Sequence, residues 1–241
     1  MKDKENRSSQ EIIICGDIHG RTHWKNGLNY FNTHPNSKMI FLGDYLDPYT
    51  RYEGITHEDA YNNFIEILEF AKSNPLRVIL LEGNHDQVLR DERRESCRHD
   101  YYNMYRNRKL FQDNIDLFKF AHKEDNYLFT HAGVCEEWLK QNNLEGITEH
   151  NIVDYLNSNP KTLWQIGASR GGRGYASPLW ACWEGDWPYC NNPFNLIQCF
   201  AHTNEGKNEK PFSIKEKRIY MFDVHNCFLL DTKTGEINLL S

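Results

Sequence analysis

The sequence has no apolar stretch that approaches the roughly 20 residues a membrane-spanning helix requires. Residues 1–10 are polar and charged, and no apolar signal-peptide core follows them. We therefore expect a disordered N-terminal tail over residues 1–10, no membrane partner and a cytoplasmic location.

The sequence also lacks a CxxC pair, and its seven cysteines are an odd number. Such a set does not form a disulfide framework, so we expect free thiols in a reducing compartment. The net charge of −6 at pH 7 argues against a general nucleic-acid binder. The length of 241 residues is compatible with one α/β domain and a sizeable core, which we assign to residues 11–241.

Three short apolar runs each lead to a glycine that is followed by residue types able to bind metals. Residues 12–15 lead to Gly16-Asp17-Ile18-His19, residues 39–42 to Gly43-Asp44, and residues 78–81 to Glu82-Gly83-Asn84-His85-Asp86. Such runs predict buried strands, and a glycine lets the backbone turn sharply beside a ligand. Open α/β sheets bind ligands at the carboxyl edge of their strands, so we expect these side chains to meet there.

The residue types after these strands suit a transition-metal site. Asp17 and His19 are two residues apart, so they can project to the same side of an extended segment. Carboxylate oxygen together with imidazole nitrogen favours Mn, Fe or Zn over Ca or Mg. Asp44 has two oxygens that could bridge two ions, and Asn84 offers a carbonyl oxygen. His85 would then be available for proton transfer.

In their order along the chain, Asp17-x-His19, Gly43-Asp44-x-x-Asp47 and Gly83-Asn84-His85-Asp86 resemble the motifs of the calcineurin-like metallophosphoesterase superfamily. Two later segments agree with this resemblance: Thr130-His131-Ala132-Gly133 and Ala201-His202-Thr203, in which the family usually has glycine at the alanine.

Asp47 and the segment Leu179-Trp180 make the chain most similar to the phosphoprotein phosphatase branch. That branch includes bacterial-type serine/threonine phosphatases and symmetrical dinucleoside tetraphosphatases. The resemblance implies an α/β fold: a four-layer αββα sandwich of two mixed β-sheets flanked by helices. It also implies a dinuclear metal site at the carboxyl edge of the strands.

The resemblance further implies two divalent metal ions, manganese in the first place, or iron, zinc or nickel. Their ligands would be Asp17, His19 and Asp44 for one ion and Asp44, Asn84, His131 and His202 for the other. A water ionised between the two ions would attack phosphorus in line, with no covalent enzyme intermediate. His85, oriented by Asp47, would be the general acid that protonates the leaving oxygen.

Two arginines near these motifs are candidates to bind the substrate phosphate, together with Asn84. Arg21 directly follows the first motif, and Arg170 lies in the glycine-rich segment 169–175, which also contains the weaker candidate Arg173. Guanidinium groups grip phosphate oxygens with paired hydrogen bonds. Glycine-rich segments are also common as flexible connections, and that interpretation of residues 169–175 stays open.

These residues predict a hydrolase of phosphomonoesters whose partner is a phosphoprotein, a small phosphoester or a nucleotide. The family's arginine after the second motif is replaced here by Pro48-Tyr49, so a phosphodiesterase or a dinucleoside polyphosphate hydrolase is the alternative. Non-enzymatic alternatives are a metal-binding scaffold and a nucleic-acid binder that uses the basic and aromatic stretch 90–109. That stretch is equally typical of a solvated helical face with ion pairs.

The remaining elements are expected as follows. Thr56-x-x-Asp59 resembles a capping box that begins an amphipathic helix, and Asn74-Pro75 ends it after residue 73. Residues 24–31, 87–122, 136–142 and 152–156 are expected to be helical, and residues 127–129 and 196–200 to be strands. Residues 219–224, 227–231 and 237–240 predict antiparallel strands of a second sheet. His23 and His225 are expected to be structural.

Overall fold

The computed structural model describes residues 10–91 and 98–241. Residues 1–9, most of the predicted tail, and residues 92–97 of the basic stretch lie outside the described residues. The described strands are β1 (Glu11–Cys15), β2 (Lys38–Phe41), β3 (Val78–Leu81), β4 (Phe118–Lys119), β5 (Ala121–Glu124), β6 (Tyr127–Thr130), β7 (Ile197–Phe200), β8 (Phe212–Ile214), β9 (Ile219–Met221), β10 (Cys227–Asp231) and β11 (Ile237–Leu240).

The strands form two mixed sheets. The six-stranded sheet has the order β11-β10-β1-β2-β3-β4, in which β1 to β4 are parallel and β10 and β11 are antiparallel to their neighbours. The five-stranded sheet has the order β5-β6-β7-β9-β8, in which β6, β7 and β9 are parallel. The carboxyl ends of the parallel strands therefore carry the predicted metal motifs of both sheets.

The described α-helices are α1 (Leu28–Thr33), α2 (Thr50–Glu53), α3 (His57–Ser73), α4 (Gln87–Arg90), α5 (Met104–Gln112), α6 (Glu136–Gln141) and α7 (Ile152–Ser158). The capping box that was predicted for α3 is confirmed: Asp59 N donates to Thr56 Oγ1 at 3.0 Å, and Thr56 N donates to an Asp59 carboxylate oxygen at 3.0 Å. A 3₁₀ turn, His23–Gly27, precedes α1 where one helix over residues 24–31 was expected.

The alternation of side chains along the strands explains the four layers. Ile12 and Ile14 of β1 pack between the two sheets with Tyr127 and Phe129 of β6. Ile13, the residue between the two isoleucines, packs on the opposite face among side chains of α3. Successive strand residues point to opposite faces, so a strand buried on both faces reads as a continuous apolar run. Leu128 of β6 likewise joins a third cluster with side chains of α6 and α7. The predicted αββα sandwich is confirmed.

The prediction of helix from residue 87 to residue 122 is wrong for the described residues 98–103, which are irregular or turn, and at its C-terminal end. Phe118–Lys119 is β4, which pairs with β3, and Ala121–Glu124 is β5, which pairs antiparallel with β6. Phe118 and Phe120 are buried while Lys119 between them is exposed, which is the two-residue period of a strand.

The placement of the last strands also needs correction. β9 lies in the second sheet beside β7, but β10 and β11 extend the first sheet next to β1. Apolar strands at the end of a chain can add to the edge of either sheet, because pairing partners are set by tertiary packing rather than by local sequence. The short strand β8 was not predicted.

No helix in residues 10–91 and 98–241 is long and apolar enough to cross a membrane. The six cysteines in these ranges are free thiols, as expected. Five of the six are buried; Cys182 is the partly exposed one.

Candidate active site

A cavity of about 230 Å³ lies where the carboxyl ends of β1, β2 and β3 face those of β6 and β7. Its lining residues are Asp17, His19, Asp44, Tyr49, Asn84, His85, Arg170, Trp180 and His202. Other cavities of the described chain are as large or larger, but this one collects the carboxylates and imidazoles that the motifs predicted to meet.

Several residues at this edge have a left-handed backbone that residues other than glycine rarely adopt. The φ angles are +42° at His19, +55° at Asp44, +61° at Asp47 and +76° at His202. Such conformations cost of order 1–3 kcal/mol each and cluster at functional sites. Gly83 permits the closest approach, because a Cβ atom there would lie 2.2 Å from Asp44 Oδ1.

Asp17, His19 and Asp44 form a first set of donors. His19 Nδ1 is 2.8 Å from the Leu46 carbonyl oxygen and therefore carries the proton. Burial lowers the pKa of His19 well below its usual value, so Nε2 has an unprotonated lone pair. That nitrogen lies 3.5 Å from Asp44 Oδ2 and 3.9 Å from Asp17 Oδ2. Two carboxyl groups and one imidazole nitrogen thus face one another.

Asn84, His131 and His202 form a second set. Asn84 Oδ1 lies 2.9 Å from His131 Nε2 and 2.9 Å from His202 Nδ1, and the two nitrogens are 3.1 Å apart. His131 Nδ1 donates to the Leu42 carbonyl oxygen at 2.8 Å, which leaves Nε2 as a lone pair. Burial lowers the pKa of both histidines, so each ring is neutral and offers one nitrogen lone pair.

Asp44 lies between the two sets. Its Oδ2 atom is 3.5 Å from His19 Nε2 and 3.6 Å from His131 Nε2. Burial alone would raise the pKa of Asp44, but the imidazoles of His131, His85, His19 and His202 together lower it below the usual value. An ionised carboxylate therefore faces an imidazole nitrogen on either side, which is the arrangement expected from the sequence prediction that Asp44 bridges two ions.

These residues fit two divalent cations. Carboxylate, amide and imidazole groups converge in a buried space, and their lone pairs could be satisfied together by cations lying among them. Two overlapping groups of potential ligands have their ligand atoms within 4.8 Å of one another: His19, Asp44 and His85, and Asp17, Asp44 and His131. The oxygen and nitrogen donors match those of Mn, Fe or Zn sites.

Asp86 holds the second and third motifs together. Its Oδ2 atom accepts from Asp44 N and Gly83 N, each at 2.9 Å, and its Oδ1 atom accepts from Tyr45 N at 3.3 Å. The side chain is fully buried. One carboxylate therefore satisfies backbone groups from both the second and the third motif.

We expect Asp86→Ala to lower the free energy of unfolding by about 2–6 kcal/mol, since each of two well-bonded buried N–H groups left without an acceptor costs about 1–3 kcal/mol. Asp86→Asn retains one oxygen acceptor and should lose less. Urea unfolding at one fixed metal concentration measures both variants. A change within about 0.5 kcal/mol for Asp86→Ala, typical of an unimportant surface position, would contradict this role.

His85 is held at the cavity by two acceptors. Its Nδ1 atom is 2.8 Å from the Arg98 carbonyl oxygen and 3.3 Å from Asp47 Oδ2. Asp47 is itself fixed, because its Oδ1 atom accepts from Asp100 N at 2.9 Å. Nδ1 is thus the protonated ring nitrogen, and Nε2 is the atom that can exchange a proton with a substrate.

The sequence did not predict that residues 98–100 contact His85 and Asp47. The Arg98 guanidinium stacks on the Tyr49 ring with its central carbon 3.8 Å from the ring centroid, and it also donates to the Asp47 carbonyl oxygen. These residues are some 50 positions from Asp47 and form no motif with it. No local signal in the sequence pairs the two segments.

Asp223 was also missed, although a signal for it existed. It follows β9 as Asp17 follows β1, so it repeats the pattern of a short apolar strand that ends at an aspartate. Its carboxyl is buried next to that of Asp17, and burial together with this neighbour raises the pKa of Asp17.

The structure separates the two predicted phosphate-binding arginines. Arg170 is in the cavity wall. Arg21 instead donates with Nε and Nη2 to the two carboxylate oxygens of Glu53, at 2.8 and 2.7 Å, and with Nη1 to the Asp17 carbonyl oxygen at 3.3 Å. The guanidinium of Arg21 therefore lies against α2 and the backbone of the first motif and is not among the residues that line the cavity.

The sequence matches the calcineurin-like phosphoesterase family over residues 11–206. Among solved structures, the chain is similar to a cold-active protein tyrosine phosphatase, with a TM-score of 0.57 and 14% identity over 97% of this chain and 79% of that one. It is similar to a protein serine/threonine phosphatase from Saccharomyces cerevisiae that resembles human phosphatase PP5, with a TM-score of 0.57 and 15% identity over 96% and 79% of the two chains. It is also similar to a putative diadenosine tetraphosphatase, with a TM-score of 0.51 and 14% identity over 97% of this chain and 94% of that one. At these identities the structural likeness concerns the fold.

Proposed function

Because the chain belongs to the calcineurin-like phosphoesterase family, and is thus a hydrolase of phosphoester bonds, we propose that it is a phosphomonoesterase that works with two divalent metal ions. The observation that carries the proposal is the position of Asp44, whose Oδ2 atom faces His19 Nε2 at 3.5 Å and His131 Nε2 at 3.6 Å. One ionised carboxylate shared by two donor sets is what a dinuclear centre requires.

The proposed ligands are Asp17, His19 and Asp44 on one side and Asp44, Asn84, His131 and His202 on the other. When bound, two such ions neutralise phosphoryl oxygens and lower the pKa of a water molecule. Manganese is the proposed metal, because mixed oxygen and nitrogen donors suit it. Iron and zinc are the alternatives, since they bind the same donor types.

The proton for the leaving oxygen is proposed to come from His85. Its Nδ1 atom is bound to the Arg98 carbonyl oxygen and near Asp47, so the ring is oriented before the substrate arrives. The negative charge of Asp47 stabilises the protonated ring, as in other acid–orienter pairs. The backbone N–H of His85 donates to Asp44 Oδ1 at 2.9 Å and so fixes the acid relative to the metal ligands.

Arg170 is proposed to bind the substrate phosphate, because it lies in the same cavity wall as the metal ligands. A phosphomonoester is nearly a dianion at pH 7, so a guanidinium adds charge and paired hydrogen bonds. For Arg21 we now propose a positioning role: its bonds to Glu53 and to the Asp17 carbonyl oxygen hold the first metal loop.

We expect Arg170→Ala to lower kcat/KM for a phosphomonoester by about 10- to 150-fold, which corresponds to the 1.5–3 kcal/mol of a hydrogen bond to a charged group. Arg173→Ala is the matched control, since Arg173 lies in the same glycine-rich segment outside the cavity lining and should leave kcat/KM nearly unchanged. Equal losses in the two variants would show that the effect is one of loop folding and not of phosphate binding.

The substrate class is tested by kcat/KM for a phosphomonoester, its diester counterpart and a dinucleoside polyphosphate under one Mn²⁺ condition. The proposal expects the monoester to be preferred, and that preference to collapse in Arg170→Ala. A preference for either of the other two substrates would overturn it. Binding of DNA or RNA without metal, weakened by salt, would instead favour a nucleic-acid binder.

A dinucleoside polyphosphate hydrolase is the second candidate, and one observation favours it. Tyr49 and Trp180 both line the cavity, so aromatic side chains that could contact a nucleobase lie beside the proposed metal ligands, with Arg98 stacked on the Tyr49 ring. Pro48 and Tyr49 stand where the family resemblance led us to expect arginine and glycine. The three-substrate comparison separates this candidate from a phosphomonoesterase.

A further inference from the structure

A second group of potential metal ligands lies away from the active-site cavity. It consists of Cys135, Glu137 and Cys190, whose two sulfurs and one carboxylate oxygen lie within 4.8 Å of one another. Both cysteines are fully buried, and Glu137 is half-buried. Cys135 and Glu137 flank the start of α6, and Cys190 lies in the long segment between residues 176 and 196.

The two segments that carry these residues are bonded to each other directly. Glu136 N donates to the Asn191 carbonyl oxygen at 2.9 Å. In return, Asn191 donates to the Glu137 carboxylate through its backbone N at 3.0 Å and its Nδ2 at 3.2 Å. The carboxylate of Glu137 is therefore held in one orientation beside the two thiols.

Gln198 adds a second connection between the same segments. This fully buried side chain accepts from Val134 N at 2.7 Å and donates to the Val134 carbonyl oxygen at 3.0 Å, directly before Cys135. It also donates to Asn192 Oδ1 at 2.8 Å, two residues after Cys190. The positions of both cysteines are thus fixed by neighbours that do not themselves bind metal, which is the support that a preorganised site needs.

We propose that Cys135, Glu137 and Cys190 bind a zinc ion that joins the start of α6 to the segment around Cys190. Zinc is bound by thiolates at about 2.3 Å and by carboxylate oxygens at about 2.0–2.2 Å in tetrahedral geometry, so these residues would fill three of its four positions and a water molecule the fourth. Those bond lengths place neighbouring ligand atoms roughly 3.5–3.8 Å apart, within the span of this group. Two thiolates select zinc over the harder ions Mn²⁺ and Mg²⁺.

The balance of charge supports the assignment. Binding displaces one proton from each thiol, so the site contributes two thiolates and one carboxylate. A divalent ion offsets two of those three negative charges. Lys217 Nζ donates to the carbonyl oxygens of Trp187 and Cys190, each at 2.6 Å, so this cation is already fixed at the same segment.

The ion would be structural, and it would act on the turn that follows His131. Cys135 is four residues beyond His131, and Trp187 Nε1 donates to the Ala132 carbonyl oxygen at 3.1 Å. The Trp187 ring also stacks on Phe200 with ring centroids 4.9 Å apart, two residues before His202. Zinc between Cys135 and Cys190 would therefore hold together the segments that carry two histidines of the cavity.

The test uses Co²⁺ as a spectroscopic substitute for zinc in the full-length, metal-free protein, reduced with a phosphine. Thiolate ligation gives an intense sulfur-to-cobalt charge-transfer band in the near ultraviolet, whereas the proposed dinuclear ligands include no thiolate. We expect the band to appear, to be removed by added Zn²⁺, and to be lost in Cys135→Ser and in Cys190→Ser. Cys182→Ser is the matched control from the same region and should keep the band.

Absence of the band in the reduced protein, or its survival in both serine variants, would overturn the proposal. A Cys135–Cys190 disulfide in the air-exposed protein without a band in the reduced protein would overturn it as well. Glu137→Gln covers the case in which the serine variants fail to fold, because glutamine keeps an oxygen for Asn191. We expect its Co²⁺ affinity to fall at least about tenfold, the lower end of what outer partners of a metal contribute, and an unchanged affinity would exclude a three-residue site.

Discussion

Asp44→Asn is expected to remove nearly all phosphatase activity and to reduce the number of Mn²⁺ ions bound per chain. Asparagine has nearly the same shape as aspartate but only one acceptor oxygen and no charge. The carboxylate that faces His19 on one side and His131 on the other would be gone, and like lone pairs would remain close together. We expect kcat to fall by more than about 100-fold. Loss of a residue that only hydrogen-bonds to a metal ligand already lowers metal affinity or activity by about 10- to 100-fold.

The measurement combines metal content after gel filtration with steady-state kinetics at saturating Mn²⁺. Asp113→Asn is a suitable control, since that carboxylate is exposed in an i,i+4 pair with Lys109 and should change neither quantity. If Asp44→Asn bound the full complement of Mn²⁺ and turned over normally, Asp44 would not be the bridging ligand.

The part of the fold that local sequence determines was predicted well. β1, β2 and β3 are buried on both faces, so each reads as an uninterrupted apolar run that polar residues end. Thr56 and Asp59 form a capping box through bonds only three residues apart, which is why α3 could be placed to within a residue. Both signals depend on neighbours in sequence alone.

The errors concern pairing between distant parts of the chain. Residues 227–231 pair with β1 across more than 200 positions, and nothing in their composition distinguishes that partner from the edge of the other sheet. β4 has only two residues, Phe118 and Lys119, and its identity as a strand depends on the exposed edge of β3. A strand so short has too few alternations for the pattern to show.

In the candidate site, too, the local motifs were predicted correctly and the contacts between distant residues were not. The strand–glycine motifs predicted that Asp17, Asp44 and Asn84 would lie at one edge, and the structure brings them to one cavity, although their roles as ligands stay predictions. Sequence position was a poor guide for the arginines. Arg21 is adjacent to a metal motif but paired with Glu53, whereas Arg170, far along the chain, is in the cavity wall.

His85→Asn is expected to lower kcat by about 10²–10⁴-fold, the usual range for loss of a general acid, while both metal ions stay bound. The contact of His85 with the metal ligands is made by its backbone, since His85 N donates to Asp44 Oδ1 at 2.9 Å, and this bond survives the substitution. Metal content is therefore measured together with the rate.

Two further comparisons distinguish proton donation from other roles of His85. The loss should be largest for an alkyl phosphate, whose alkoxide must be protonated as it departs, and smaller for p-nitrophenyl phosphate, whose leaving group is stable as an anion. Asp47→Asn should act in the same direction but less, because the Arg98 carbonyl oxygen at 2.8 Å still orients the ring. His85 also lies with His19 and Asp44 in a group whose ligand atoms are within 4.8 Å of one another. If His85→Asn instead released a metal ion and slowed both substrates equally, His85 would be a ligand and the proton would have to come from another group.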